Sequence, residues 1–145
     1  MSDEMNAYQK TAILGKSQVE LVIKVYDGAI AAFKEGVEAY REGDNGRGYE
    51  RLEKAKRFVT HLYTTLDEEK GGEIAKRLSR LYAFVINQSN VAQATKDLNQ
   101  IDDNISILEN LRLGWVGLKE QQEREKEAAA DGSQGESQRT VITSA

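Results

Sequence analysis

Two adjacent glycines, Gly71 and Gly72, interrupt the stretch LDEEKGGEIAKRLSRLYAF at residues 66–84 and stand just before a strongly patterned helical segment. Glycines before a helix can hold a phosphate, because they leave backbone N–H groups free to bind the anion. A phosphate loop, however, needs a strand before it and a Lys followed by Ser or Thr after it. Here Lys70 precedes the glycines and the acidic Glu73 follows them. The pattern therefore predicts a tight turn in which one helix ends near Lys70 and the next begins at Glu73.

The single histidine, His61, is the other residue that could carry chemistry. A histidine on the second helix of a bundle is similar to histidine phosphotransfer domains, but their following Lys and Gly are missing from the run 61–65. We interpret His61 as solvent-exposed and keep phosphotransfer as an alternative function. A di-iron bundle needs Glu-x-x-His pairs, which the sequence lacks. With no cysteine and no base beside a nucleophile, the sequence predicts a protein that is not an enzyme and uses no metal or cofactor.

The composition sets the broad class of the protein. The chain has 145 residues, of which 30% are charged, with no proline, no cysteine and a net charge of −4. Residues that favour helices dominate, and the mixed charges leave no basic face for a nucleic acid. The acidic start, MSDEMNAYQK, lacks the apolar run of a signal peptide, and no stretch is apolar enough for membrane insertion. The composition predicts a cytoplasmic helical protein of one domain.

Four stretches carry apolar residues at three- and four-residue steps, which is typical of amphipathic helices. Short connections between them predict an all-α, antiparallel up-down four-helix bundle at residues 17–120. Residues 1–16 form a predicted N-terminal arm, and the polar residues 121–145 a predicted disordered tail. Gly114 and Gly117 are expected to weaken the fourth helix after Trp115. The stripes include Val22, Tyr26, Ala29 and Phe33; Leu52, Ala55, Val59 and Leu62; Ile74, Leu78, Leu81 and Val85; and Ile101, Ile105, Leu108 and Leu111.

Several motifs, taken in order, resemble the flagellin-specific flagellar export chaperones, the FliS-type proteins. The resemblance covers residues 6–118, and its ordered set of fragments is specific although each fragment alone is weak. The fragments are Ala7-Tyr8-Gln9 in the arm, ELVIKVYDGAI at 20–30, Gly43-Asp44 in the first loop, LDEEKGGEIAKRLSRLY at 66–82, Ala92 and Asp97, and ILENLRLGW at 107–115.

The resemblance implies a cytoplasmic chaperone that binds the disordered C-terminal segment of flagellin in an apolar groove. Bound flagellin does not polymerise early and is handed to the flagellar type III secretion machinery. Other flagellar regulators or export components are further candidate partners, and the free protein is expected to be a monomer or weak dimer. The implied partner-binding residues are Ala7, Tyr8 and Gln9, which would cover the groove as a lid, and Phe58, Leu62, Tyr63, Leu78 and Tyr82, which would line it.

Three residues depart from the family pattern late in the third helix. Ser89 and Asn90 replace apolar residues, and Gln93 replaces an asparagine. They imply either that the flagellin contact is lost at this end or that specificity shifts toward an unusual flagellin, and they leave open an alternative function. In that alternative the chain is a helical adaptor of the same fold whose partner has changed.

Overall fold

The computed structural model describes residues 16–134, which form four α-helices. Helix α1 spans Lys16–Arg41, α2 spans Asn45–Thr64, α3 spans Glu68–Thr95 and α4 spans Asn99–Gln134. The short connections at 42–44, 65–67 and 96–98 make consecutive helices antiparallel. No strand occurs among residues 16–134. The predicted all-α four-helix bundle is confirmed.

Each helix packs against two neighbours, so the four form a ring in cross-section. Helix α1 contacts α2 and α4, and α3 contacts the same two helices. Because the apolar residues of each helix recur every three or four positions, each helix turns one stripe toward the common centre. The largest side chains with almost no exposure there are Tyr26 and Phe33 of α1, Leu52 and Val59 of α2, Tyr82 and Val85 of α3, and Ile101 and Leu108 of α4.

An aromatic cluster at the centre of the bundle joins three of the helices. The hydroxyl of Tyr26 forms a hydrogen bond with the hydroxyl of Tyr82, across the diagonal from α1 to α3. The ring centroid of Tyr26 lies 6.3 Å from that of Tyr82 and 6.4 Å from that of Trp115 on α4. Burial raises the pKa of Tyr26 above its ordinary value, so the phenol stays neutral and can share the hydrogen bond.

Helices α1 and α2 approach each other closely where glycines face large side chains. A methyl group at Gly36 would lie 2.6 Å from Cδ2 of Leu52, and one at Gly28 would lie 2.7 Å from Cζ of Phe58. Real carbon atoms do not approach to such distances without a shift of the neighbour. The two glycines therefore set the spacing of this helix pair by leaving room for the Leu52 and Phe58 side chains.

A buried polar network fastens α3 to α4. The Asn104 side chain is fully buried and donates to the Val85 carbonyl at 3.1 Å and to Oγ of Ser89 at 2.9 Å. Nε2 of Gln88 in turn donates to Oδ1 of Asn104 and to the Gln100 carbonyl, at 2.8 Å each. Buried amides without partners are costly, so this network favours one register of the two helices.

The adjacent glycines Gly71 and Gly72 produce a kink. Helix α2 ends at Thr64, earlier than predicted, and a short helical segment follows from Glu68. That segment stops at Gly72 and a second one continues from there, so the predicted boundary at the glycines is confirmed. Within α3, Gly72 has φ 64° and ψ −145°, which are not helical. Glycine adopts this positive φ at little cost because it lacks a Cβ. The glycine pair thus lets the backbone bend between two helical segments of α3.

Helix α4 is longer than the sequence pattern predicted. It continues through Gly114 and Gly117 without a break and ends at Gln134. The prediction of disorder is therefore wrong for residues 121–134, while 135–145 lie outside the described residues. The physical reason is that Glu, Gln, Lys, Arg and Ala favour helix, and each adds to a helix that is already nucleated.

We predict that adding a methyl group at two helical glycines has opposite effects on stability. Gly36→Ala should lower the free energy of unfolding by about 1–3 kcal/mol, because Leu52 must move out of a packed position. Gly117→Ala meets no atom within 4 Å and should raise it by about 0.5–1 kcal/mol. Urea denaturation followed by circular dichroism measures both, and a stabilising Gly36→Ala would contradict the close packing of α1 on α2.

We also predict that the amide of Asn104 stabilises the bundle. Asn104→Ala should lower the free energy of unfolding by about 1–3 kcal/mol, because buried polar groups of α3 lose their partner. Asn110→Ala, at an exposed position of the same helix, is the matched control and should stay within about 0.5 kcal/mol of the wild type. Equal losses in the two variants would show that the network contributes nothing beyond helix propensity.

Candidate functional site

The described residues offer surfaces for binding but no assembled chemical centre. His61 is exposed, as predicted, and no group of three potential metal ligands clusters among residues 16–134. None of the helices in that part of the chain has the length and apolar character needed to cross a membrane. The question is therefore which outer faces of the bundle could receive another chain.

The groove residues predicted from the sequence do not form one surface. Leu62 and Tyr82 are only 4% and 1% exposed, because both side chains point into the common core. A partner cannot reach them in this conformation, so their placement in the groove is corrected. Phe58 is half-buried and faces Gly28 of α1, away from α3.

The remaining predicted partner-binding residues have mixed positions. Tyr63 is 41% exposed near the end of α2, and Leu78 is half-buried against the core on α3. The predicted lid residues of the arm, Ala7, Tyr8 and Gln9, lie outside the described residues. The structure thus leaves Phe58, Tyr63 and Leu78 as the described members of the predicted set that a partner could reach, and they do not share one surface.

The seam between α1 and α4 is covered by charged side chains. Four ion pairs cross it, with nitrogen–oxygen distances of 2.6–3.5 Å, and they follow one another along the whole length of α1. Exposed pairs of this kind stabilise little, but their charges make the surface unfavourable for an apolar partner. The pairs are Glu20–Lys119, Asp27–Arg112, Lys34–Glu109 and Arg41–Asp102.

The seam between α2 and α3 is polar as well. Nζ of Lys56 donates to Oδ1 of Asn90 at 2.8 Å and also pairs with Glu53. The hydrogen bond from Lys56 lowers the pKa of the Glu53 carboxyl below its ordinary value, which keeps the pair charged. Asn90 therefore joins two helices, and Ser89 belongs to the buried network with Asn104. Two of the three departures from the family pattern, Ser89 and Asn90, therefore have hydrogen-bond partners on neighbouring helices.

Apolar side chains are exposed on the opposite side of α3, next to α4. Ile74, Phe84 and Val91 are 72%, 48% and 40% exposed, and the half-buried Leu81 lies between them. At 100° per residue these four positions fall within about 100° of arc, on one side of the helix. Gln88 lies in the same arc and contacts α4, so the row borders that helix.

We name this surface the α3/α4 face and define it by six residues. Ile74, Leu81, Phe84 and Val91 come from α3, and the half-buried Ile107 and Leu111 come from the side of α4 that packs toward α3. The sequence reasoning missed it because Phe84 and Val91 lie outside the core stripe. The signal in the sequence is the recurrence of apolar residues at positions 74, 81, 84 and 91. These positions lie on one side of α3, next to the stripe that faces the core.

The chain is similar to known flagellar proteins. The family model of flagellar protein FliS matches residues 1–122. The flagellar secretion chaperone FliS of Vibrio cholerae serotype O1 is 32% identical over 119 residues, which cover 79% of this chain and 88% of that protein. The protein of the same name from Salmonella typhimurium is 32% identical over 107 residues, 73% of this chain and 79% of its own length. The chain belongs to the FliS family of flagellar proteins.

Proposed function

We propose that the chain is a flagellar secretion chaperone that binds the C-terminal segment of flagellin on the α3/α4 face. The family supports the chaperone role, since its relatives are named flagellar secretion chaperones. As a member of a chaperone family it is not an enzyme. The observation that carries the choice of surface is the exposed apolar row of Ile74, Phe84 and Val91 on one side of α3.

The chemistry of the face suits a segment that folds as it binds. An amphipathic helix places apolar side chains at i, i+3, i+4 and i+7, which matches the spacing of the α3 row. Covering Ile74, Phe84 and Val91 removes apolar surface from water, and this gain offsets the entropy that the segment loses on folding. A disordered segment held in this way has its own apolar side covered, so it cannot associate with other flagellin molecules.

Within this proposal the residues predicted from the sequence take different positions. Leu78, one turn from Ile74 and from Leu81, is a contact at the edge of the face. Tyr82 holds α3, and with it the α3/α4 face, in place from the core through its hydrogen bond with Tyr26.

The arm residues 7–9 act as a lid over the face, because a tethered segment has an effective concentration of order millimolar and competes even when its contacts are weak. The complex forms in the cytoplasm, with one flagellin segment on each chaperone.

We predict that polar substitution on the face weakens flagellin binding selectively. Phe84→Ser should raise the Kd for the C-terminal segment of flagellin from the same organism by about tenfold, because an aromatic anchor is lost. Leu113→Ser is the matched control, since Leu113 is 66% exposed but lies on α4 outside the face. Calorimetric titration gives both values together with the heat-capacity change, which should be large and negative.

Three outcomes of this titration bear on the proposal. Unchanged affinity in Phe84→Ser would reject the α3/α4 face as the binding surface. An equal loss of affinity in Leu113→Ser would show that the effect is not specific to the α3/α4 face. No binding by the wild-type protein would reject flagellin as the partner and favour the alternative of an adaptor with a changed partner.

We further predict that removing residues 1–15 strengthens flagellin binding. If the arm competes for the face, its deletion should lower the Kd by several-fold without altering the helices of the bundle. The same titration measures the affinity, and circular dichroism checks the helical content. Weaker binding after deletion would instead make the arm a direct contact for flagellin.

A further inference from the structure

A second open surface lies between α1 and α2, on the side of the bundle away from the α3/α4 face. It is a cleft of about 470 Å³ lined by Val25 of α1 and by Lys54, Arg57, Phe58 and His61 of α2. We call it the α1/α2 cleft. Because α1 and α2 are neighbours in the ring and α3 and α4 close the other side, the two surfaces can be occupied at the same time.

The floor of the cleft is apolar. The half-buried ring of Phe58 lies over Gly28, where the missing side chain leaves the space that the ring occupies. Val25 is also half-buried, and Leu21, one turn earlier on the same side of α1, is 56% exposed. An aromatic ring in a recess beside aliphatic side chains is a typical place for an apolar anchor of a partner.

The rim of the cleft is cationic. Within residues 16–134, neither Lys54 nor Arg57 forms an ion pair. The nearest carboxylates along α2 have closer cations, since Glu50 pairs with Arg51 and Glu53 pairs with Lys56, and Arg57 acts on Glu53 only from beyond ion-pair distance. In a chain of net charge −4, the cleft is therefore a local positive surface.

We propose that the α1/α2 cleft binds an acidic amphipathic segment of a second protein. In this complex one apolar side chain rests on Phe58 and Val25, while carboxylates on either side of it pair with Lys54 and Arg57. Two cations around an apolar recess suit such a segment better than a nucleic acid, which needs an extended basic surface. Since the α3/α4 face remains free, the protein would bridge its cargo and this second partner.

The first test uses a defined probe with the full-length protein. The probe is a fluorescein-labelled, helix-forming synthetic peptide with Phe and Leu at i and i+4 and Glu at the surrounding positions. Fluorescence anisotropy should show saturable binding that weakens as salt is added, because exposed charges carry part of the affinity. A peptide with Gln in place of Glu and one with Ala in place of Phe should each bind more weakly.

Variants of the protein test whether the probe peptide binds at the α1/α2 cleft. Lys54→Glu combined with Arg57→Glu should raise the Kd for the Glu peptide by about tenfold or more, because attraction becomes repulsion. Arg124→Glu combined with Lys126→Glu is the control, since it changes the net charge equally on the exposed end of α4. Equal effects of the two double variants, or equal binding of the Glu and Gln peptides, would overturn the proposal.

Flagellin separates this inference from the proposed function. The variant with both cleft charges reversed should bind the flagellin segment with unchanged Kd, and wild-type protein saturated with that segment should still bind the Glu peptide. Displacement of the peptide by flagellin would overturn the proposal of two separate surfaces. Failure of flagellin to bind at all would count against the proposed function alone, because the peptide measurement does not depend on it.

Discussion

The hydrogen bond between Tyr26 and Tyr82 is the interaction on which the arrangement of the helices depends. It crosses the centre of the bundle, where α1 and α3 are otherwise separated by their neighbours, and Trp115 packs against the same ring from α4. Both hydroxyls are buried, where a hydroxyl needs a hydrogen-bond partner, and Tyr26 also bonds with Trp115. This requirement fixes the rotation of α1 and α3 about their axes, and with it the direction in which their outer residues point.

That rotation gives the four seams different surfaces. The side of α1 that faces α4 carries charges that are neutralised in pairs, and the side of α2 that faces α3 carries the Lys56 cluster. Helix α3 instead presents apolar residues beside α4, and α1 and α2 enclose an apolar recess with a cationic rim. One bundle therefore offers two chemically distinct surfaces, which suits a protein that binds without catalysis.

The periodicity of the sequence predicts the number of helices, their approximate bounds and most of the core, because one apolar stripe per helix is what a bundle must bury. It cannot separate core from groove, as Leu62 and Tyr82 show. Both lie on apolar stripes, and only the position of the neighbouring helices decides whether a stripe residue is covered. The length of α4 was missed for another reason. Residues 121–134 have no apolar stripe, and local helix propensity alone extends the helix there.

The ion pairs between α1 and α4 have a geometric consequence for any bound helix. Their α1 members, Glu20, Asp27, Lys34 and Arg41, recur every seven positions. A straight α-helix drifts by about 20° per heptad relative to such a repeat, so a left-handed winding of the two helices would keep the repeat facing α4. With such a winding the outer grooves are oblique to the long axis of the bundle. A helix captured on the α3/α4 face would cross the chaperone at a slant, so its two ends would leave in directions set by this supercoil.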